Sequence, residues 1–320
     1  MAVRLGVVIC TWNRADLLAA TLDSLAAQHL PDDCTVDVLV VDNNSQDDTL
    51  ARLKARAPAW PLGRLHALCE PRQGKQFALN TAIHRARELG CELLAFSDDD
   101  ILFPPDWLVQ ACTAFRDGTT ALAGGRTLLE WPPTGRPAWY DDSMAAIVGG
   151  VDLGEQRLAP PPPGYAPAGA NLVARASLFE RVGGFSEAHF RHMDAEFGQR
   201  CLARGEVLAY EPQLQVTAPV DPAMLTRRYF RRWSFKSGIS DWQDLPASQG
   251  LPLWVYRRLV QDALLWLLAP LLCEPPPVRF ARELRIWRAR GAISASWMSR
   301  LRPAELAAWV DRRSRKRNLF

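Results

Sequence analysis

The sequence predicts an α/β protein built on an open, mostly parallel sheet with helices on both faces, followed by a basic, Trp-rich helical part. Three observations predict it. Short apolar runs of strand length alternate with stripes of helical period through the first hundred residues. The first polar clusters of the chain stand directly after those runs. The charge then changes sign near residue 221: residues 221–320 hold 19 Lys/Arg against 8 Asp/Glu, whereas residues 1–220 hold 19 against 27. A length of 320 residues with 48% hydrophobic and 23% charged residues suits one large domain with an appendage, or two domains, and excludes a disordered chain. We place the boundaries at 1–220 and 221–320.

Residues 3–10 form the first apolar run, with Val3, Leu5, Val7, Val8 and Ile9, and Thr11-Trp12-Asn13-Arg14 follows as a turn. Leu18, Leu22 and Leu25 recur at helical spacing, predicting a helix over about residues 15–28. Val36 to Val41 is a second strand, ended by Asp42-Asn43-Asn44-Ser45, and a helix runs on to about Arg56. Leu65 to Cys69 is a weaker third strand. Leu79, Ile83, Ala86 and Leu89 give the next helical stripe, and Leu93 to Phe96 gives a fourth strand, with Ser97-Asp98-Asp99-Asp100 at its end. Residues 121–129 are strand-like, and Gly169 to Val173 is ordered after two Pro-rich loops. Leu178, Phe179 and Val182 mark a short helix, as does the stretch from Asp194 to Ala203.

The seven Cys show no CxxC pair and no zinc-ligand spacing, and the five His show no ligand spacing, so a disulfide scaffold and a zinc site are not expected. Met1 leads almost directly into the first strand, so no signal peptide is expected. The longest apolar run, Ala263 to Cys273, is broken by Pro270 and falls short of a spanning helix, which takes about 20 residues. A cytoplasmic protein, with the option of peripheral attachment to the inner face of a membrane, is the expectation.

Open parallel sheets bind ligands beyond the carboxyl ends of their strands, and the three polar clusters, Thr11 to Arg14, Asp42 to Ser45 and Asp98 to Asp100, all fall there. Three consecutive Asp repel one another unless a cation offsets them. Carboxylates at alternate positions of an extended segment, Asp98 and Asp100, suit a hard divalent ion such as Mg2+ or Mn2+ that bridges diphosphate oxygens. A solvated Asp-rich turn is the plain alternative.

The ordered set Val8-Ile9-Cys10-Thr11-Trp12-Asn13-Arg14, Val40-Val41-Asp42-Asn43-Asn44-Ser45, Gly74-Lys75 with Ala78-Leu79-Asn80, Phe96-Ser97-Asp98-Asp99-Asp100, Gly169-Ala170-Asn171, Val182-Gly183-Gly184-Phe185 and Asp194-Ala195-Glu196-Phe197 resembles the inverting family 2 glycosyltransferases, over roughly residues 3–236. The resemblance implies the GT-A fold and transfer of a sugar from a nucleotide diphosphate donor to a hydroxyl of a glycan or lipid-linked acceptor. It implies that Thr11, Asn13, Arg14, Asp42 and Asn43 line the nucleotide site, that Lys75 approaches the nucleotide or diphosphate, that Asp98 lies near the ribose, and that Asp99 belongs to the nucleotide-sugar site. Asp100, with Asp98, would bind the metal. Gly169 and Asn171 would border the donor sugar and the acceptor, and Asp194 would be the general base, with Glu196 second. Read by position alone, Asp194 is equally a helix cap.

Two positions depart from the family pattern. Met193 stands where relatives have Glu, and Thr217 falls at about the place of a His that completes the metal shell in many of them. The alternatives are a nucleotidyltransferase of the same fold or a non-catalytic nucleotide-sugar-binding protein. The first is disfavoured because Thr11-Trp12-Asn13-Arg14 occupies the turn where that class has a Gly-rich phosphate loop.

In the C-terminal part, Arg227 to Lys236, Arg279 to Arg290 and the tail Arg312 to Arg317 set cations beside Tyr, Phe, Trp and Leu, and seven of the twelve Trp fall there. This composition suits contact with an anionic membrane surface; a helical packing unit and a dimer interface are the other readings. No nucleic-acid-binding fold accompanies the charge.

Overall fold

The computed structural model describes residues 3–189, 191–243, 250–306 and 308. They form two compact units. One is drawn from residues up to 128, from 150–188 and from 193–219; the other from 129–149, 189–192 and 220 onward.

The first unit is built on β1 (Val3–Thr11), β2 (Cys34–Asp42), β3 (Arg64–Cys69), β4 (Leu93–Asp98), β5 (Leu122–Glu130), β6 (Asn171–Arg175) and β7 (Leu208–Pro219). They make one sheet in the order β3-β2-β1-β4-β6-β5-β7. The first four strands are parallel, and β6 runs antiparallel to both β4 and β5. The helices are α1 (Ala15–Ala26), α2 (Thr49–Arg56), α3 (Lys75–Glu88), α4 (Trp107–Thr113), α5 (Ala176–Val182) and α6 (Met193–Ala203).

Strands β1 and β2 are apolar without alternation because both faces of the sheet are covered. Val8 and Cys10 pack on one face with Ala78, Leu79, Ala82 and Ile83 of α3, and with Phe179 and Phe197 beyond. Alternation along the strand leaves Leu5, Val7 and Ile9 to the other face, where all three are buried. The periodic residues Leu18, Leu22 and Leu25 are the buried side of α1, as their spacing predicts. At the far side of the sheet the backbones come close: a Cβ on Gly125 would meet the Leu214 carbonyl oxygen at 1.6 Å.

Register then sets the site. Thr11 lies opposite Asp42, and Cys10 opposite Asp98, so the polar clusters end at one edge of the sheet. Because β6 is antiparallel to β4, with Asn171 opposite Ser97, its leading residues Gly169 and Ala170 arrive at that same edge. Ser97 Oγ donates to the Ala170 carbonyl at 2.9 Å and fixes this arrival.

The second unit is helical, with α7 (Arg227–Gln243), α8 (Leu253–Leu268) and α9 (Pro276–Leu301). It also takes in residues 129–149, because Tyr140, Met144, Ile147 and Val148 bury with Phe230 of α7 and with Phe280 and Leu284 of α9. Helices α7 and α9 touch backbone to backbone: a Cβ on Gly238 would stand 1.8 Å from the Arg288 carbonyl oxygen, and one on Gly291 2.0 Å from that of Phe235. Two arginines of this unit pair between these helices, Arg231 with Glu283 and Arg288 with Asp241. The basic tail from Arg312 to Arg317 lies outside the described residues.

Candidate active site

The carboxyl-terminal edge of β1, β2 and β4 gathers most of the residues that the sequence singled out. The turn after β1 is tied to the turn after β2: the Asn13 amide donates to Ser45 Oγ at 2.9 Å, and Asn13 Oδ1 accepts from the Gln46 amide at 2.6 Å. Asn13 takes φ +51°, a left-handed conformation that Asn tolerates better than most residues.

Asp42 is buried, and its Oδ2 accepts from the Ser45 amide at 3.1 Å while its Oδ1 has no partner. Thr11 Oγ1, also buried, lacks one as well. Both atoms are free to accept a bond from a ligand at this edge.

At the end of β4 the three aspartates meet two cations. Arg14 reaches Asp99 Oδ1 at 3.0 Å and Asp100 Oδ2 at 2.8 Å. Burial acts to lower the Arg14 guanidinium, but the charges of Asp99 and Asp100 outweigh it and hold it above its ordinary value. Lys75, the first residue of α3, bonds Asp98 Oδ1. Asp99 Oδ2 is buried without a partner. Burial, and then the charges of Asp98 and Asp99, push the Asp100 carboxyl up, against the pull of Arg14. The aspartates thus form a crowded cluster in which Asp99 is buried and Asp98 and Asp100 are partly exposed.

Lys75 is delivered by a shaped loop. Gly74 has φ +142°, open to glycine and strained for other residues. The Asn43 side chain holds the loop: its Nδ2 donates to the carbonyls of Glu70 and Arg72 at 3.1 and 2.6 Å, and its Oδ1 accepts from the Gly74 amide at 2.8 Å. Glu70 in turn receives Arg72 and, at 2.6 Å, Thr81 Oγ1. Hydrogen bonds from Arg72 draw the Glu70 carboxyl down to about 2, against its burial, with Thr81 adding to the effect.

Across the edge, Gly169 and Asp194 meet. The Gly169 amide donates to Asp194 Oδ2 at 2.7 Å, and the Ala195 amide donates to Oδ1 at 2.9 Å. The open side of Gly169 faces both Asp194 Oδ2, 3.4 Å from a Cβ built there, and Lys75 Nζ at 3.7 Å. Lys75 on Asp98 and Gly169 on Asp194 thus stand as neighbours at this edge.

Two expected site residues have side chains engaged within the protein. The bonds of the Asn43 amide go to the 70–74 loop. Asn171 is 1% exposed; its Nδ2 donates to the carbonyls of Arg126 and Leu214, and its Oδ1 accepts from Trp107 Nε1. In both, the two Nδ2 hydrogens are donated to carbonyls and the oxygen accepts one bond, so both side chains brace the scaffold.

Glu196 is likewise engaged, by Arg200 through Nε at 2.7 Å and a second nitrogen at 2.8 Å, leaving Asp194 as the acid at the edge. Met193 is buried among Phe179, Phe185 and Phe197, so the departure at that position is a core residue. Thr217 pairs backbone to backbone with Leu102, two residues beyond Asp100. The sequence reading placed Ser45 in the second polar cluster without a role, and missed Gln46 and Glu70, which only the polarity of their loops marked.

Among the described residues, no group of three or more His, Cys, Asp or Glu is disposed to hold a metal ion. The oxygens at the end of β4 are hard donors, and the crowding that raises Asp100 is what a cation would relieve. These residues fit a divalent ion held by one or two carboxylates and completed by phosphate oxygens and water. They do not fit a closed all-protein cage.

Residues 6–142 match the family model described as Glycosyl transferase family 2. The succinoglycan biosynthesis protein ExoM of Rhizobium meliloti is 26% identical over 240 residues, 74% of this chain and 73% of the relative. The glycosyltransferase AglE of Haloferax volcanii is 26% identical over 273 residues, 85% of this chain and 82% of the relative. The mannosyltransferase PcManGT of Pyrobaculum calidifontis, solved with GDP-Man and Mn2+, superposes with a TM-score of 0.56 at 19% identity, over 98% of this chain and 85% of that one. TarS 1-349 of S. aureus, solved with UDP, superposes with a TM-score of 0.50 at 17% identity, covering 91% of each chain. The fold is thus of the GT-A type, as expected from the sequence.

Proposed function

We propose that this chain, which carries a glycosyltransferase family 2 domain, moves a sugar from a nucleotide diphosphate donor to an acceptor hydroxyl in one displacement, with inversion and with Asp194 as the base. The observation that carries this reading is the juxtaposition of the Asp98–Lys75 pair with Gly169 and Asp194, which sets a cluster suited to a diphosphate near an acid held by two backbone amides.

The roles follow from the chemistry of each group. Asp42, with its unpartnered oxygen, accepts from a ribose hydroxyl or base N–H of the nucleotide. Arg14 and Lys75 are held by aspartates in the free protein and exchange part of that pairing for phosphate oxygens when the donor arrives. Asp100, with Asp98, would hold a divalent cation, which supplies Lewis-acid stabilisation of the diphosphate leaving group. Asp194 takes the proton from the acceptor hydroxyl as that oxygen attacks the anomeric carbon, and the C–O bond to the diphosphate breaks on the opposite side. The two backbone amides on its oxygens fix the carboxylate's orientation. A single base and direct displacement need no covalent sugar–enzyme bond.

The relatives named for succinoglycan biosynthesis and for glycosyl transfer support an acceptor that is a glycan or a lipid-linked glycan. A screen of nucleotide sugars, with and without Mn2+, tests the reading by thermal shift and by release of nucleoside diphosphate. Stabilisation and metal-dependent release by one donor class are expected; the absence of both for every common nucleotide sugar would refute it.

A further inference from the structure

Helix α8 is turned inside out. Its inner side is ionic: Asp262, 3% exposed, accepts from Arg285 of α9 at 3.0 and 2.7 Å and from Arg258 at 3.4 Å, beside the buried Val255 and Ala269. Half a turn away, the outer side carries Leu253, Val260, Leu264 and Leu267, and the turn beyond adds Leu271. These five are 85%, 58%, 55%, 64% and 80% exposed. A helix in water places such residues inward, and a contiguous exposed apolar face marks a surface that is covered in use.

Charge identifies the cover. Residues 251–279 contain only two carboxylates, and both are engaged internally, Asp262 by Arg285 and Glu274 by Arg282. Arg257 and Arg258 remain exposed on α8. Among the described residues the exposed charges of α8 are cations, and an apolar face beside them complements anionic headgroups over acyl chains. It opposes a two-fold pairing of copies, which would bring like charges together. At 16 residues, α8 is about 24 Å long, short of the roughly 30 Å hydrocarbon core. Among the described residues no helix is long and apolar enough to cross a membrane.

We infer that α8 lies flat on an anionic membrane surface, with Leu253, Val260, Leu264, Leu267 and Leu271 among the acyl chains and Arg257 at the phosphates. Of the arginines that the sequence brought forward, Arg231, Arg282, Arg285 and Arg288 are engaged by Glu283, Glu274, Asp262 and Asp241. The lipid-facing element is the less charged helix that stands between α7 and α9 in the chain. The inference uses only the helical unit and stands apart from the reaction proposed above.

The test is flotation of the full chain at low salt with phosphatidylcholine vesicles, with and without phosphatidylglycerol. Wild type is expected to float with the phosphatidylglycerol vesicles. The double variant Leu264→Glu/Leu267→Glu is expected to lose at least about tenfold in binding, with its melting temperature unchanged because both positions face outward. Arg257→Glu should weaken binding several-fold, and Leu17→Glu, on the exposed side of α1, should leave it intact. Failure of wild type to float, or flotation of the double variant like wild type, would overturn the inference. So would a dimer that the double variant converts to monomer while neither form binds vesicles, since the face would then belong to a second copy.

Discussion

The Gly169 amide donates to Asp194 Oδ2 at 2.7 Å, and the open side of the same glycine lies 3.7 Å from Lys75 Nζ where a Cβ would stand. One residue without a side chain thus separates the cation on the aspartate cluster from the proposed base. The glycine is needed for space and not for backbone conformation, because its φ is not left-handed. Gly169→Ala is therefore expected to fold with a stability change of no more than about 1 kcal/mol. Its methyl would sit 3.4 Å from Asp194 Oδ2 and occupy the approach to the acid. Steady-state release of nucleoside diphosphate should fall at least about tenfold, which corresponds to about 1.4 kcal/mol. An unimpaired rate would place the acceptor elsewhere.

Asp100 links stability to function. Its carboxyl is held above the ordinary value, chiefly by burial, so the folded protein loses stability as pH rises through that value, and at pH 7 it carries the penalty. Asp100→Asn should raise the melting temperature of the metal-free protein at pH 7, on the order of 1 kcal/mol in stability. It should also abolish any stabilisation by Mn2+ with a nucleoside diphosphate. A variant less stable than wild type would show that the pairing with Arg14 outweighs burial and repulsion.

Asn43 offers a test of whether its side chain serves the loop or a ligand. If its amide serves only the 70–74 loop, Asn43→Ala removes three hydrogen bonds from the interior and should cost roughly 2–4 kcal/mol in ligand-free protein, read by denaturant unfolding. A residue that touched only the nucleotide would leave that curve unchanged and lower donor affinity alone.

The edge of the sheet was legible from the sequence because strands β1, β2 and β4 are apolar to their last turn and then abruptly polar. The residue types in those clusters were legible for the same reason. What each side chain touches was not, since Asn43 and Asn171 spend their amides on partners 27 to 64 positions away, which no local pattern reveals. Met193 read as the loss of a carboxylate and is a core residue, buried with Phe179 and Phe197. In the helical part, the Arg-rich segments drew notice, yet their partners Glu283, Asp241 and Asp262 lie on other turns and other helices. The Leu-rich α8 reads as a core helix by composition; only its ionic contact with α9 shows which side is outward.

The Glu70 carboxyl supplies a pH signature. It is drawn down to about 2, so its contribution is complete above its ordinary value near 4.5 and is lost as pH falls toward 2. Glu70→Gln should cost about 1–2 kcal/mol at pH 7, since Arg72 is half exposed and screened by water. The gap between variant and wild type should close on acidification across that window. A gap that is independent of pH would assign the loss to packing.

The most direct test of the central claim is the transfer rate of Asp194→Asn, measured beside donor binding by thermal shift. The asparagine can still accept the Gly169 amide, so the fold and the donor site should be retained, while transfer should fall about 10²–10⁴-fold. Turnover within a few fold of wild type, with donor binding intact, would remove Asp194 from the base role and with it the mechanism.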